Sequence, residues 1–543
     1  MMNTIPIKGN PFAGGKKVFS SIPMLVVFLL LSFQGFSQTV VKGTVSSTGA
    51  TAETLIGASV VSKSNGSAVA TGMDGDYEIN VPATDTLLVS FIGYKTQKVA
   101  VNGRTLINVN LESDSEQLEE VVVVGYGKQK KINLTGSVSS ISEKDIENRP
   151  ITQASQALAG LTSGVIVSQG SGRPGNDGAG ITIRGTGSFG ASGGALVLID
   201  GLAGSLNDVD PNNIKSISVL KDAASAAIYG SRAANGVIIV ETKMGQAGKM
   251  QVSYNSYAGW QSATELPDFV DSAEYATLYN EANANMGNSP TYSASDIQKF
   301  RDQSDPDNFP NVPHLRNLLN SGSGFQTNHN LSFMWGTDKT RNMFSTSYLK
   351  QEGLVAENNY EKYNFMFNTD SKILDNLSLK VNTMGYTSET NEPTRAEGGG
   401  SMTSIIRYAV RQGPIYAGRK SDGSYGHQDT FSPEAWLDSN SFKKGTNKYF
   451  QGAGELSWQP VKGLTVSGKA GYMLFSYYDK NYISNITFSP TSSLGPNKLS
   501  VYSGQGTQVT LQALATYTKT FDKHNFTVLA GATQEEYNDH YLS

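Results

Sequence analysis

From residue 249 onward the chain consists largely of long segments in which apolar and polar residues alternate, and that period of two restricts its fold more than any other feature. Successive side chains of a strand point to opposite faces, so such a segment reads as a strand with one apolar face. Nine segments fit: 249–260, 325–336, 341–350, 361–371, 376–387, 447–458, 463–478, 507–519 and 524–538. In the sixth, Phe450, Gly452, Gly454, Leu456 and Trp458 share one face, and Gln451, Ala453, Glu455 and Ser457 the other. In the seventh, Leu464, Val466, Gly468, Ala470, Tyr472 and Leu474 oppose Thr465, Ser467 and Lys469; in the eighth, Val509, Leu511, Ala513, Ala515 and Tyr517 oppose Thr510, Gln512, Thr516 and Thr518. Alternation alone also fits a half-buried soluble sheet.

The connections separate the two possibilities. Short ones fall near Asp338, Asp375, Lys462 and Lys523, and long ones at 261–324, 351–360, 388–446 and 479–506, in strict alternation beginning with a long one. Outer-membrane barrels have short periplasmic turns and long external loops. A chain entering from the periplasm would meet a long loop first, and a soluble sandwich has no reason to keep that parity. Trp260, Tyr348, Trp458, Tyr477, Tyr478, Tyr517 and Phe521 fall near strand ends, as interfacial girdles do. Bacterial single-chain barrels have even strand numbers, so nine strands lead us to expect a partial barrel in which the chain stops on the outer side.

The N-terminus fits export. Lys8, Lys16 and Lys17 precede an apolar run from Ile22 to Leu31, and Gly35 and Ser37 suit a cut before Gln38, so residues 1–37 read as a signal peptide. The run is shorter than the roughly 20 residues a membrane helix needs. There is no cysteine among the 543 residues, which excludes disulfides, cysteine-ligated zinc, iron–sulfur clusters and a lipidated cysteine. A net charge of −4 gives no reason to expect nucleic acid. High glycine (57) and tyrosine (25) contents suit a transmembrane barrel.

Residues 38–113 read as a small β-sandwich, with strands at Thr39–Val45, Ala58–Ser62, Tyr77–Val81, Thr86–Phe91 and Leu106–Leu111. Asp74-Gly75, between the second and third, reads as a tight hairpin turn. Residues 128–245 read as a glycine-rich α/β unit. It has a short helix at Thr152–Ala159, a helix start at Asp210-Pro211, and a helical turn at Ala223–Tyr229. Its strands are placed at Gly164–Ser168, Ile181–Arg184, Ala195–Asp200, Ser216–Leu220 and Gly236–Thr242. Between the two units, residues 114–127 form a linker containing Glu119-Glu120-Val121-Val122-Val123-Val124-Gly125-Tyr126-Gly127. A bare β-prone run invites pairing with any open sheet edge. At a domain boundary it reads either as an ordinary strand of a neighbour or as a segment that a partner adds to its own sheet.

These residues resemble the SusC/RagA family of TonB-dependent outer-membrane transporters of Bacteroidetes. Glu120 to Gly127 looks like the family's TonB box. Leu55-Ile56-Gly57-Ala58-Ser59-Val60 and Phe91-Ile92-Gly93-Tyr94-Lys95 resemble its carboxypeptidase-D-regulatory-like extension. Val219 to Ile239, Ile183-Arg184-Gly185 and Val197-Leu198-Ile199-Asp200-Gly201 resemble its plug domain. The matching plug residues are Arg184, Gly185, Asp200, Gly201, Lys221, Asp222, Tyr229, Gly230, Arg232, Asn235 and Gly236. The resemblance implies a mainly β protein: the regulatory-like sandwich, an α/β plug, and from residue 246 part of an antiparallel barrel that in full has roughly 22 strands. One departure is local: Pro310-Asn311 runs on into Val312-Pro313-His314-Leu315 where the family usually has an Asp-Trp pair.

Enzymatic readings find little support. Gly190-Ala191-Ser192-Gly193-Gly194 has the nucleophile-elbow pattern but lacks the strand before it and the helix after it. The five histidines show no i, i+4 pairing for zinc, and no phosphate-binding P-loop occurs. Arg184, Lys221, Asp222 and Arg232 are candidates for plug–barrel ion pairs or are plain surface charge. Tyr292 and Tyr425 in the loops suit structural roles better than sugar stacking. The resemblance implies import of an oligosaccharide or, less often, a peptide, without cofactor, metal or catalysis. The outer membrane would hold the barrel and the periplasm the N-terminal domain. TonB, with its proton-motive-force complex, and a SusD-like surface lipoprotein would be the partners. The alternatives are a passive porin or adhesin without energy coupling, and a secreted soluble β protein.

Overall fold

The computed structural model describes residues 38–48, 53–91, 94–112, 121–124, 127–130, 137–147, 149–185, 187, 194–394, 402–428, 432–522 and 524–542. The proposed signal peptide lies outside these residues. The chain divides into two units, one up to Glu120 and one from Val121.

The first unit is a two-layer sandwich. Its strands are β1 (Gln38–Ser47), β2 (Ser59–Ser62), β3 (Ala68–Ala70), β4 (Asp76–Pro82), β5 (Thr86–Ser90), β6 (Gln97–Ala100) and β7 (Val109–Leu111). One sheet has the order β4-β1-β7, the other β3-β2-β5-β6. Alternate residues such as Val41, Ile79, Val81, Leu87 and Val89 are fully buried between them. Two short strands, β3 and β6, were not expected. The Asp74-Gly75 turn exists, with Gly75 at φ +73°, but it is not a hairpin. It joins β3 to β4, which lie in different sheets. Leu106 makes only an isolated bridge with Lys42.

The second unit begins with a two-stranded ribbon, β8 (Val121–Val124) and β9 (Gly127–Lys130), paired from Val121↔Lys130 to Val124↔Gly127. The α/β part follows. It contains β10 (Val138–Ser142), helix α1 (Glu143–Ile146), β11 (Val165–Gln169), β12 (Ala179–Ile183), β13 (Leu196–Ile199), β14 (Leu202–Ala203), β15 (Ile214–Leu220), helix α2 (Ala223–Ala226) and β16 (Val237–Thr242). Five of these strands form one sheet of order β10-β15-β16-β13-β14, and β11 and β12 a separate hairpin. The helix expected at 152–159 is a single 3-10 stretch, Ala154–Leu158.

The nine long strands pair in sequence order into one antiparallel sheet. They are β17 (Gly248–Trp260), β18 (Phe325–Gly336), β19 (Thr340–Glu352), β20 (Asn359–Leu374), β21 (Leu377–Pro393), β22 (Phe442–Val461), β23 (Leu464–Ile483), β26 (Lys498–Phe521) and β27 (His524–Leu542). All but the first two run past their expected ends, mostly on the long-loop side. The connection expected at 351–360 shrinks to 353–358, still longer than the turns at 337–339, 375–376, 462–463 and 522–523. The outward face is apolar and exposed, as at Leu456, Trp458, Val466 and Leu511; the other face meets the α/β part. Aromatic residues collect near both rims, with Trp260 against Phe325 at one and Phe521 against Phe526 at the other.

The long connections are folded. They carry α3 (Ser272–Asn285), α4 (Ala294–Asp302), α5 (His314–Leu319), α6 (Met402–Arg411), α7 (Pro433–Asp438) and a small hairpin of β24 (Ile486–Ser489) and β25 (Ser492–Leu494). Asp271 with Glu274 and Ser293 with Asp296 form capping boxes that start α3 and α4. Trp436, Ile405, Phe488, Leu318 and Val355 form an apolar core shared by four loops. The His314 ring bridges α5 to α7 through Glu434, Nδ1 to Oε1 at 2.7 Å.

Candidate functional site: the plug and its seat

The α/β part fills the space against the sheet. Its core of Leu158, Ile199, Ile217, Val219, Ile238 and Val240 is continued by Met343, Met366, Met384 and Tyr449 from the strands of the large sheet. One face of the large sheet is thus covered by a folded domain.

The sequence-predicted plug residues shape and seat this domain. Asp200 and Gly201 are the two central residues of the β13–β14 hairpin, both with positive φ (48° and 85°), as a primed two-residue turn requires. The Asp200 carboxylate takes hydrogen bonds from Thr242 N–H (3.1 Å) and Oγ1 (2.6 Å), locking the turn to β16. The carbonyls of the turn point at the wall. Lys469 Nζ donates to Asp200 O (3.0 Å) and Gln512 Nε2 to Gly201 O (3.5 Å). Arg184 and Gly185 also have positive φ, 56° and 89°. Gly230 marks a kink between short helical turns, Tyr229 packs on a second plug cluster, and Asn235 and Gly236 precede β16.

Among the described residues, Arg232 is the one of the four charges considered for plug–barrel pairing that makes it, through Nη1 to Glu535 Oε2 on β27 at 2.6 Å. Lys221 turns inward instead. Its Nζ donates to Ser163 O at 2.6 Å, and burial, helped by neighbouring Arg184, lowers its pKa. Asp222 caps α2, accepting from Ser225 N–H at 2.8 Å, and also accepts from Ser137 N–H just ahead of β10. Those two backbone bonds hold its carboxyl below the usual carboxylate range. Arg184 makes no ion pair with the wall among the described contacts; its electrostatic neighbours are Lys221 and Asp222.

The seat itself was missed. Its side chains sit on the polar face of each strand, which alternation reveals, but their partners lie far away in sequence. Asn330 Nδ2 reaches Asp210 (3.3 Å), Gln351 Nε2 reaches Asp177 (2.9 Å), Lys362 Nζ reaches Asn207 O (2.8 Å) and Asn368 Nδ2 reaches Thr242 Oγ1 (2.8 Å). Arg173 pairs with Glu392 at 3.3 Å. Burial pushes the Asp208 carboxyl up, against the Ser205 N–H and Lys362, which favour its charge.

Of the box-like segment, Val121–Val124 and Gly127 are in the β8–β9 ribbon; Glu120, Gly125 and Tyr126 lie outside the described residues, as do Gly190 to Gly193. Tyr292 packs edge-on against Tyr279 and Phe300, and the Tyr425 hydroxyl donates to Asp438 at 2.6 Å, both structural roles. No group of acidic or histidine side chains among the described residues is arranged to hold a metal.

Comparison with known proteins agrees with this geometry. Residues 130–237 match the TonB-dependent receptor plug domain, and residues 41–123 the CarboxypepD_reg-like domain. The chain is 33% identical over 519 residues to TonB-dependent receptor P26 of Formosa agariphila, covering 91% of this chain and 49% of that one. It is 34% identical over 386 residues to TonB-dependent receptor SusC of Bacteroides thetaiotaomicron, covering 68% and 36%. The chain belongs to the SusC/RagA-type TonB-dependent receptors. The fold agrees: the RagAB peptide importer in its open-open state superposes with a TM-score of 0.62 at 23% identity, over 77% of this chain and 49% of that chain. This receptor chain spans about half the length, or less, of the curated relatives it matches. Its α/β part is accordingly called the plug below, and its nine-stranded sheet the barrel wall.

Proposed function

We propose that this chain acts in energy-coupled import of a nutrient across the outer membrane, with Glu120–Gly127 as the segment that TonB captures. One observation carries the reading: a folded plug is hydrogen-bonded into the polar face of the barrel wall, and the ribbon containing Val121–Val124 comes just before it in the chain. Among the described residues β8 is paired with β9, and a strand paired on one side has a second edge to which a further strand can add. TonB would add itself to that edge by main-chain pairing, and a pull there reaches the plug through β10. On this reading the N-terminal sandwich is periplasmic and the helical loops are external. The cargo is an oligosaccharide or peptide, and a SusD-like lipoprotein works with the external loops. The RagAB neighbour is itself a peptide importer; the family resemblance of the sequence implies an oligosaccharide first. A passive porin or adhesin has no use for the seated plug, which obstructs any pore.

The test is capture by the purified periplasmic domain of TonB. Proline at Val122 or Val123 removes a backbone donor and is expected to abolish capture in at least one of the two variants, because alternate N–H groups face the open edge. Undiminished capture by both variants refutes the assignment of the segment.

A further inference from the structure

We infer that the outward face of β22 and β23 carries a binding site for a phosphate-bearing glycolipid of the outer leaflet, formed by Lys444, Lys448 and Lys480. This goes beyond import. It rests only on the reading of the wall as a membrane barrel whose long loops are external.

Alternation puts the three lysines on one face. In β22 the face that shows Leu456 and Trp458 to the outside continues through Phe450, Lys448, Thr446, Lys444 and Phe442. The register to β23 is unbroken there: Phe450 faces Leu474, Lys448 faces Ser476, Thr446 faces Tyr478, Lys444 faces Lys480 and Phe442 faces Tyr482. All three lysines are exposed. β21 lies beyond β22 and β26 beyond β23, so the exposure belongs to the outside of the wall, away from the plug and from either end of the sheet.

Their height fits a headgroup layer. A strand tilted by about 40° climbs about 2.6 Å per residue along the membrane normal. Counted from Trp458, beside the short turn at 462–463, Lys448 stands about 26 Å up, and Lys444 with Lys480 about 36 Å. The apolar band of an outer-membrane barrel is about 25 Å tall. Lys448 therefore marks its outer edge, and the other two stand roughly 10 Å above it. A phospholipid headgroup layer is about 5–8 Å thick, so a taller, sugar-based headgroup is what brings phosphate to all three.

The charge there lacks a counter-charge. Like charges directly opposite on adjacent strands repel, and Lys444 and Lys480 are so placed. Both ammonium groups lie over the Phe442 ring, 5.1 and 5.8 Å from its centroid, which offsets the repulsion only in part. Among the described residues none of the three lysines is in an ion pair. Glu389 on β21, opposite Thr446, shares this face but pairs with none of them. Lys350, on the same face of β19, is by contrast matched by Glu352 at 2.7 Å. A lipid phosphate seated among the lysines supplies the missing negative charge, with several strong acceptor oxygens.

The test uses the purified full-length receptor in detergent, with lipid A as the phosphorylated glycolipid and native mass spectrometry to read bound lipid. Dephosphorylated lipid A and phosphatidylglycerol are titrated in parallel. The triple substitution Lys444→Gln, Lys448→Gln, Lys480→Gln is compared with Lys462→Gln, Lys519→Gln near the short turns. Heat-modifiability first shows that each variant is folded. The triple variant is expected to bind lipid A roughly a hundred-fold more weakly, while the short-turn variant keeps the unsubstituted affinity. The two comparison lipids should bind the unsubstituted receptor as weakly as lipid A binds the triple variant. No binding of lipid A, or equal affinity in the triple variant, overturns the site. Equal affinity for dephosphorylated lipid A overturns phosphate recognition, and equal affinity for phosphatidylglycerol overturns the choice of a glycolipid. A receptor that folds and stays dispersed without detergent sinks the membrane reading itself, a separate failure.

Discussion

Replacing Asp222 with alanine should loosen the plug at the strand nearest the coupling segment and nowhere else. The carboxylate joins two pieces of chain: it caps α2 through Ser225 N–H at 2.8 Å and holds Ser137 N–H at the entrance to β10. β10 is an edge strand of the plug sheet with five paired residues, Val138 to Ser142 against β15. Losing an N-cap costs about 1 kcal/mol, and losing one further hydrogen bond about 1 kcal/mol. The sum, about 2 kcal/mol, corresponds to a roughly 30-fold rise in local opening. Amide hydrogen exchange of the purified receptor reads this directly. Peptides covering 138–142 should exchange roughly 30-fold faster, while β16, in the middle of the sheet, stays protected. Asp222→Asn keeps one acceptor oxygen and should fall between. The charge also sets a pH dependence. Because hydrogen bonding lowers the folded-state pKa, the clasp is at full strength above the unfolded value near pH 4 and is lost as pH falls through the lower folded value. Unchanged exchange in β10, or an equal rise across the whole sheet, would refute the clasp.

Two further substitutions test the rest of the architecture. Trp436→Ala removes a side chain that is 1% exposed at the centre of the loop core and packed edge-on against Tyr408. It should destabilise that core by about 3–5 kcal/mol, so that added protease cuts within 261–324 and 394–441 on intact cells while the barrel keeps its heat-modifiability. Gly245→Ala places a methyl 2.2 Å from backbone of Asn342, whereas Gly454→Ala meets nothing within 4 Å. The first should lower the thermal unfolding midpoint, by about 1–3 kcal/mol of overpacking strain or more, and the second should leave it unchanged.

The wall and the order of its strands were legible because alternation and loop parity are local signals carried by many residues at once. Faces such as Leu456 and Trp458 against Gln451 and Glu455 follow from spacing alone. The seat of the plug was not legible. Gln351 with Asp177 and Lys469 with Asp200 are separated by 174 and 269 residues, and nothing in either segment names the other. Lys221 and Asp222 suit either plug–barrel pairs or plain surface charge by sequence, and local geometry claims both instead: one reaches a carbonyl inside the plug and the other caps a helix. The loop helices did leave a signal. Asp271 with Glu274 and Ser293 with Asp296 are capping boxes visible in the sequence. The Asp74-Gly75 turn shows the opposite error. A correct turn residue fixes backbone direction but not which sheet receives the next strand.

The central claim is that this receptor chain imports by energy coupled through its 119–127 segment. Its most direct test is uptake and growth by cells carrying the full-length gene with Glu119 to Gly127 deleted, with surface expression verified and peptides and glycans each supplied as sole nutrient. The account predicts that uptake of one cargo class is lost while the protein remains at the surface in normal amount. Uptake of that class at the undeleted rate would contradict it.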